Sequence, residues 1–303
     1  MTAAAESAQR DALLRAMPAV FVLIWSTGFI VARYGMPHAP PMGFLALRFA
    51  LSVLCLLAWA AWSRAAWPRG RRQWGHLAVS GMLMHAGYLG GVWSAVKDGM
   101  GAGTVALVVG LQPVLTAVWM SHGAGAGGVR LTPRQWFGLA LGFGGLVLVV
   151  WRKLGVGEVH SWNLGLALVA LVSITVGTLY QKRFIEPCDV RSASTVQLLG
   201  ALLVTLPLAM MEHGRFDWHP HFIGALAWSV LGLTLGGSSL LYLLIQRGAA
   251  TQVTSLLFLV PPTTALMAWP LFGESLGAPA LAGMLATAVG VALVVREPTP
   301  AAR

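Results

Sequence analysis

Residues 101–120 read GAGTVALVVGLQPVLTAVWM, twenty positions without a charged side chain. About 20 mostly apolar residues in a helix cross a hydrocarbon core of about 30 Å, so this run, taken as a span from Ala102 to Met120, points to lipid as its solvent. Comparable runs precede it at Pro18 to Ala32, Gly43 to Trp62 and Gly75 to Val96. Others follow at Gln135 to Trp151, Trp162 to Tyr180, Ala193 to Met211, Phe222 to Ile245, Ala250 to Phe272 and Ala278 to Val295. With 57% hydrophobic and 10% charged residues, the 303-residue chain has too little polar surface to solvate a globular fold. The gaps between runs, about a dozen residues at most, are too short to fold as separate domains. Membrane β-strands alternate over about ten residues, whereas these runs are continuous. The expected fold class is therefore an all-α integral membrane protein with ten transmembrane helices.

The first run follows Arg10 and Arg15, as the apolar part of a secretory signal would. It is longer than such a segment and no small-x-small cleavage site precedes Arg33-Tyr34, so it is expected to stay as a span. Cys55 and Cys188 fall on different elements and suggest no disulfide framework. The net charge of +10 does not imply a nucleic-acid partner, because the basic residues are scattered through short loops without an aromatic-interleaved patch.

Sorting the basic residues by alternate loops accounts for them better. One side receives 14: Arg10, Arg15, Arg64, Arg69, Arg71, Arg72, Arg130, Arg134, Lys182, Arg183, Arg191, Arg247, Arg296 and Arg303. The other receives five, Arg33, Lys97, Arg152, Lys153 and Arg215, and Arg48 is left inside the second run. Cytoplasmic loops carry the Lys/Arg excess, so both termini are expected in the cytoplasm. The alternation persisting through ten crossings fits the count of ten.

The chain also repeats itself. Set against Ala249 to Ala268, Gly101 to Met120 agrees at six of twenty positions, among them Pro113 with Pro261 and Thr116-Ala117 with Thr264-Ala265. Leu131 to Val150 agrees with Leu276 to Val295 at six more, including Gly138 with Gly283 and Gly145 with Gly290. Both blocks occupy the same place in their halves, spans 4 and 5 against spans 9 and 10. Five is odd, so the second half must cross in the opposite sense. Such an inverted repeat places a substrate site between the halves and permits alternating access.

IWSTGFIVARYG at Ile24–Gly35, LRFALSVL at Leu47–Leu54, VVGLQPVLTAV at Val108–Val118, LFLVPPTTAL at Leu257–Leu266 and LFGESL at Leu271–Leu276 follow one another in a fixed order through the two halves. Together they resemble the drug/metabolite transporter superfamily, EamA type, over essentially the whole chain. The resemblance implies a ten-helix inner-membrane carrier, usually an exporter of amino acids or other small metabolites, with a central cavity lined by helices 1, 3, 4, 6, 8 and 9. Its repeats would be residues 16–151 and 162–296, flanked by cytoplasmic tails at 1–15 and 297–303. The chain departs from the pattern at SHGAGAGGVRL, Ser121–Leu131, where a second GE-type turn is commonly found. Any role of that acidic residue rests on Glu274.

The candidate substrate-binding residues are Trp25, Ser26, Arg48, His85, Tyr88, Trp93, Gln112, Ser239 and Tyr242. Arg48 is the one formal charge well inside a span, a costly placement. Its stem can snorkel so that the guanidinium caps a helix end or pairs with a loop acid, or the guanidinium can meet an anion or carboxylate of the substrate. Its counterpart in the second half is Gln197. Aromatic faces with a few orienting polar groups suit amphipathic metabolites. Trp25 and Ser26 supply these on span 1, Tyr88 and Trp93 on span 3, and Ser238, Ser239 and Tyr242 on span 8, although Trp and Tyr also gather at membrane interfaces. Trp25, Ser26, Tyr88, Trp93, Gln112 and Tyr242 are expected around one cavity.

Pro113, Pro261 and Pro262 interrupt the hydrogen-bond ladder of spans 4 and 9, as gating elements or as passive kinks. Gly138, Gly145, Gly283 and Gly290 read as close-packing seams on spans 5 and 10, which then scaffold the bundle or join a homodimer. Asp98, Glu158, Glu212 and Glu274 all fall at span ends on one side. His85, about halfway along span 3, is then the one candidate for proton coupling, with uncoupled or exchange transport as the favoured alternative.

No HExxH, GxSxG or GxxxxGK[ST] motif is present, and GAGAGG at Gly123–Gly128 lacks the strand and acidic contact of a dinucleotide fold. No enzyme activity, cofactor or metal is expected. Two classes remain: a secondary carrier with the lipid bilayer and a small metabolite as its partners, or a non-transporting membrane protein, an enzyme or assembly partner, on the same scaffold.

Overall fold

The computed structural model describes residues 3–122, 132–155, 157–237, 239–240, 257, 259–274 and 277–295. These residues are helical or lie in turns, and among them there is no strand. In chain order the helices are α1 (Ala3–Gly35), α2 (Pro41–Trp62), α3 (Arg71–Gly81), α4 (Tyr88–Lys97), α5 (Ala102–Val109), α6 (Gln112–His122), α7 (Pro133–Gly155), α8 (Ser161–Phe184), α9 (Val190–Met211), α10 (Pro220–Ala227), α11 (Val260–Phe272) and α12 (Ala278–Val295). Among the described residues, six stretches are long and apolar enough to cross a membrane: Met17–His38, Pro41–Trp62, Ala102–Trp119, Pro133–Gly155, Ser161–Phe184 and Val190–Met211. Ala278–Leu293 is a shorter apolar helix.

The expected third span of each half contains a change of helix type. From Arg71 to Lys97 the chain stays helical but passes through a π-helical segment, Met82–Gly87, and a second π segment, Trp228–Gly237, continues α10. Each lies in the third span of its half, in a glycine-rich stretch, and π turns of this kind tend to mark functional places in helices. The 102–119 stretch breaks at Gly110–Leu111, because Pro113 has no N–H to return to Val109. Pro261 and Pro262 stand in the first turn of α11, where a missing donor is tolerated. The two breaks abut, since a methyl group on Gly110 would lie 2.7 Å from Pro261 Cγ.

The most extensive contacts follow one rule. α2 lies on α9, α5 on α11 and α7 on α12; α4 and α3 lie on α8, as α10 and its π segment lie on α1. Each contact is thus either its own counterpart or has one when every helix is exchanged for the helix at the same place in the other half. The α7–α12 contact is backbone on backbone: a methyl group on Gly145 would sit 2.5 Å from the Gly283 carbonyl oxygen, and one on Gly290 would collide with Gly142. Thr287 Oγ1 donates across this seam to Gly142 O at 3.3 Å. The glycine faces are filled by each other, so a second copy of the chain would need a different surface.

Among the described residues, carboxylates at one end of the bundle tie turns to helix starts. Glu212 accepts the amides of Met42 and Gly43 at 3.1 and 3.0 Å, and Glu274 those of Ala102 and Gly103 at 2.7 and 3.1 Å. Glu158 accepts Gly101 N and Thr104 Oγ1 and pairs with Lys153. Helix N-termini carry unpaired amides and a partial positive charge, so each of these acids satisfies donors that would otherwise be orphaned. Lys97 Nζ adds a bond to Met36 O at 2.6 Å. At the opposite end Ser192 donates to Ala66 O, and Gln73 exchanges hydrogen bonds with Glu186. Asp189 caps α9 there by accepting Arg191 N, and hydrogen bonding from Arg191 holds its carboxyl below the usual range.

Candidate functional site

Arg48 lies within α2, seven residues from its start, with 8% of its surface exposed. Phe44, one turn earlier on the same face, packs on Trp93 of α4 with centroids 4.3 Å apart, and Phe222 meets Phe44 edge-on. Arg48 continues this column, its guanidinium carbon 6.0 Å from the Trp93 ring centroid. Tyr88 and His85 are within its electrostatic reach, and Phe49 stands 6.1 Å from the His85 ring. Among the described residues Arg48 Nε has no hydrogen-bond partner and Arg48 forms no ion pair. The guanidinium stays beside Trp93, and no acid of the described residues pairs with it.

One turn beyond Arg48, Ser52 donates to Thr234 Oγ1 at 3.3 Å, and Thr234 in turn donates to Ser229 O at 3.0 Å. Ser229 Oγ is itself buried without a partner. A polar track therefore runs from Ser52, one turn along α2 from Arg48, to the π segment of the second half. Ser52, Thr234 and Ser229 are not singled out by the sequence. The signal for Ser52 is its spacing of four from Arg48, but the match to Thr234 exists only once the helices cross.

The other expected site residues divide into groups. Arg48, His85, Tyr88 and Trp93 come together as described, with Trp93 1% exposed and enclosed by its neighbours. Ser26 is fully buried and faces α11 rather than open space: its hydroxyl donates to Val22 O and reaches Val260 O at 3.4 Å, while Thr264 donates to Ser26 O. It acts as a clasp between helices. Trp25 packs on Phe21 with ring centroids 5.2 Å apart and tilted planes, and Gln112 donates to Thr178 of α8 at 2.9 Å. Ser239 donates to Leu235 O and lines an open apolar cleft of about 650 Å³ with Ala58, Trp59, Trp62, Leu235 and Gly236, toward the far end of α2 from Arg48. Gln197, the counterpart of Arg48, forms a polar trio with Ser80 and Gln181. Tyr242, Ser238 and the Gly123–Gly128 loop lie outside the described residues.

Comparison with known proteins completes the picture. The model of the EamA-like transporter family matches residues 16–151 and again 161–296. A protein described as a probable amino-acid metabolite efflux pump in Salmonella typhimurium is 25% identical over 280 residues, covering 89% of this chain and 90% of that protein. An uncharacterized inner membrane transporter of Escherichia coli, YedA, is 26% identical over 269 residues, with 87% and 85% covered. The uncharacterized transporter YvbV of Bacillus subtilis is 26% identical over 289 residues, with 94% and 91% covered. A solved crystal structure superposes with a TM-score of 0.60 at 19% identity, covering 91% of this chain and 94% of that one, a likeness of fold alone. Matched in both halves and along nearly its full length, this chain is a membrane transporter belonging to the EamA-like transporter family.

Proposed function

We propose that this transporter is a secondary carrier of the inner membrane that exports small carboxylate-bearing metabolites, amino acids among them. Arg48 carries the reading. A guanidinium presents five donors and no acceptor, and enclosing one without an anion is costly. A substrate carboxylate would supply the missing acceptor and could engage the planar fork bidentately. Tyr88, only partly buried, offers a flat surface for the rest of the molecule, Trp93 backs the guanidinium, and Thr234 and Ser229 offer hydrogen bonds from the second half. The relative described as an amino-acid metabolite efflux pump supports the same substrate class.

In this reading residues 16–151 and 162–296 are inverted repeats of five spans each, and transport alternates access to the Arg48 region between them. The basic asymmetry puts both termini and the Arg64–Trp74 loop in the cytoplasm, so the carboxylate-tied end faces the periplasm. With no carboxylate of the described residues at midspan, movement runs down the metabolite gradient or by exchange. Trp25, Gln112, Ser239 and Tyr242 would border the path, and the abutting breaks near Pro113 and Pro261-Pro262 would flex as it opens.

The test compares metabolites released into the medium by cells carrying the protein, the Arg48→Gln variant, or neither. Carboxylate-bearing metabolites should accumulate with the parent alone, at equal amounts of parent and variant in the membrane. Equal release by parent and variant would refute the role of Arg48. A periplasmic C-terminus in reporter fusions would refute the orientation.

A further inference from the structure

At the carboxylate-tied end, away from Arg48, three histidines converge from the two halves of the chain. His38 ends the single 3₁₀ turn after α1, while His219 and His221 flank Pro220 at the start of α10. One ligand nitrogen from each lies within 4.8 Å of the others. The rings of His38 and His219 stack at 4.5 Å, and His221 stands edge-on to His219 at 4.7 Å. The two loops are docked by backbone as well, since Asp217 N donates to His38 O at 2.8 Å.

We infer that His38, His219 and His221 form a binding site for a divalent d-block cation of the zinc type. Three neutral imidazoles suit zinc, nickel or copper ions, whose nitrogen ligands stand about 2.0–2.1 Å from zinc. His38 Nδ1 is 2.8 Å from Asp217 Oδ2. A carboxylate on one ring nitrogen fixes the tautomer and leaves the other free to ligate, the outer support common to metal-bound histidines. His219 and His221 are exposed, and a cleft of about 350 Å³ lined by His38, Glu212, Arg215 and Asp217 opens beside them, so a hydrated ion can enter.

Binding requires the His219 ring to leave its parallel stack on His38, since two stacked rings cannot both aim an in-plane lone pair at one ion, and to give up its cap bond. His219 Nδ1 accepts His221 N at 3.2 Å, and ligation through either nitrogen of His219 surrenders that bond. Rotation of the exposed rings would then bring three nitrogens to one ion, with water completing the coordination. The ion would bridge the loop after α1 and the loop before α10, fastening one half of the carrier to the other.

The test uses tag-free, chelator-stripped, full-length protein in lipid nanodiscs, titrated with zinc sulfate in a calorimeter. One ion should bind per chain. His221→Gln and His219→Asn, the latter keeping a cap acceptor for α10, should each weaken binding at least tenfold without lowering the melting temperature of the ion-free protein. Asp217→Asn should weaken it by about tenfold through His38. Zinc should raise the melting temperature of the parent and leave the double histidine variant unmoved. Absence of saturable binding, or binding undiminished in the double variant, would overturn the site. Because the readout is ion binding, its failure would leave the carboxylate-carrier reading standing.

Discussion

Along α7 and α12 the bundle brings two backbones together until a methyl group has no room, whereas around Arg48 it encloses a guanidinium whose Nε has no partner. Both regions are buried, yet their chemistry is opposed. The seam satisfies every requirement of close packing, with small residues meeting carbonyls and Thr287 bonding across. The Arg48 region leaves Arg48 Nε and Ser229 Oγ buried with no partner among the described residues, which packing alone would not favour. A seam of the first kind secures the fold, and a site of the second kind stores an unmet demand that a ligand can answer.

Substitution should separate the two. Gly145→Leu drives a side chain into Gly283 and Thr287, so its cost should reach or exceed the upper end of the ~1–3 kcal/mol typical of overpacking, seen as loss of monodisperse protein on size exclusion. Recovery of normal yield would dissolve the contrast. Glu274→Ala removes two charge-assisted acceptors from the start of α5 and should lower stability by about 2 kcal/mol in thermal melts, with Glu274→Gln losing less.

Arg48→Met should behave the other way. Replacing an unmatched buried charge with an apolar chain of similar length should leave the melting temperature unchanged or raise stability by on the order of 1 kcal/mol, while abolishing export of carboxylate-bearing metabolites. A destabilised Arg48→Met would mean that the guanidinium serves the fold, and the comparison would fail. His85→Gln should have the smallest effect: transport in vesicles should keep its pH dependence, and loss of that dependence would make His85 the coupling group.

Sequence reading went furthest where the determinant is local. Uncharged length announced the helices, and the paired glycines at 138, 145, 283 and 290 announced a seam because only backbone contact needs glycine at that spacing. Arg48 stood out as a charge in an apolar run. Its surroundings did not, because Trp93 reaches it from α4 while Thr234 reaches Ser52 from the second half, and both meetings depend on how those helices cross. The π segments at Met82–Gly87 and Trp228–Gly237 were equally illegible. Both stretches keep the apolar, glycine-rich composition of an ordinary span, and the shift in hydrogen-bond register is set by packing. Glu274 was visible as the acid of LFGESL, but the amides it accepts lie in the other half of the chain.

Those amides bear on the order in which the protein is made. The starts of α2 and α5 are capped by Glu212 and Glu274, about 170 residues further along the chain. As the polypeptide emerges from its N-terminus, the first half enters the bilayer with Met42, Gly43, Ala102 and Gly103 still awaiting their acceptors, held meanwhile by water at the membrane surface. Maturation of the first half is therefore timed by translation of the second. A nascent chain stalled before Glu274 should remain open to proteases at residues 98–101, and a turn synthesised late closes a gap left by one made early.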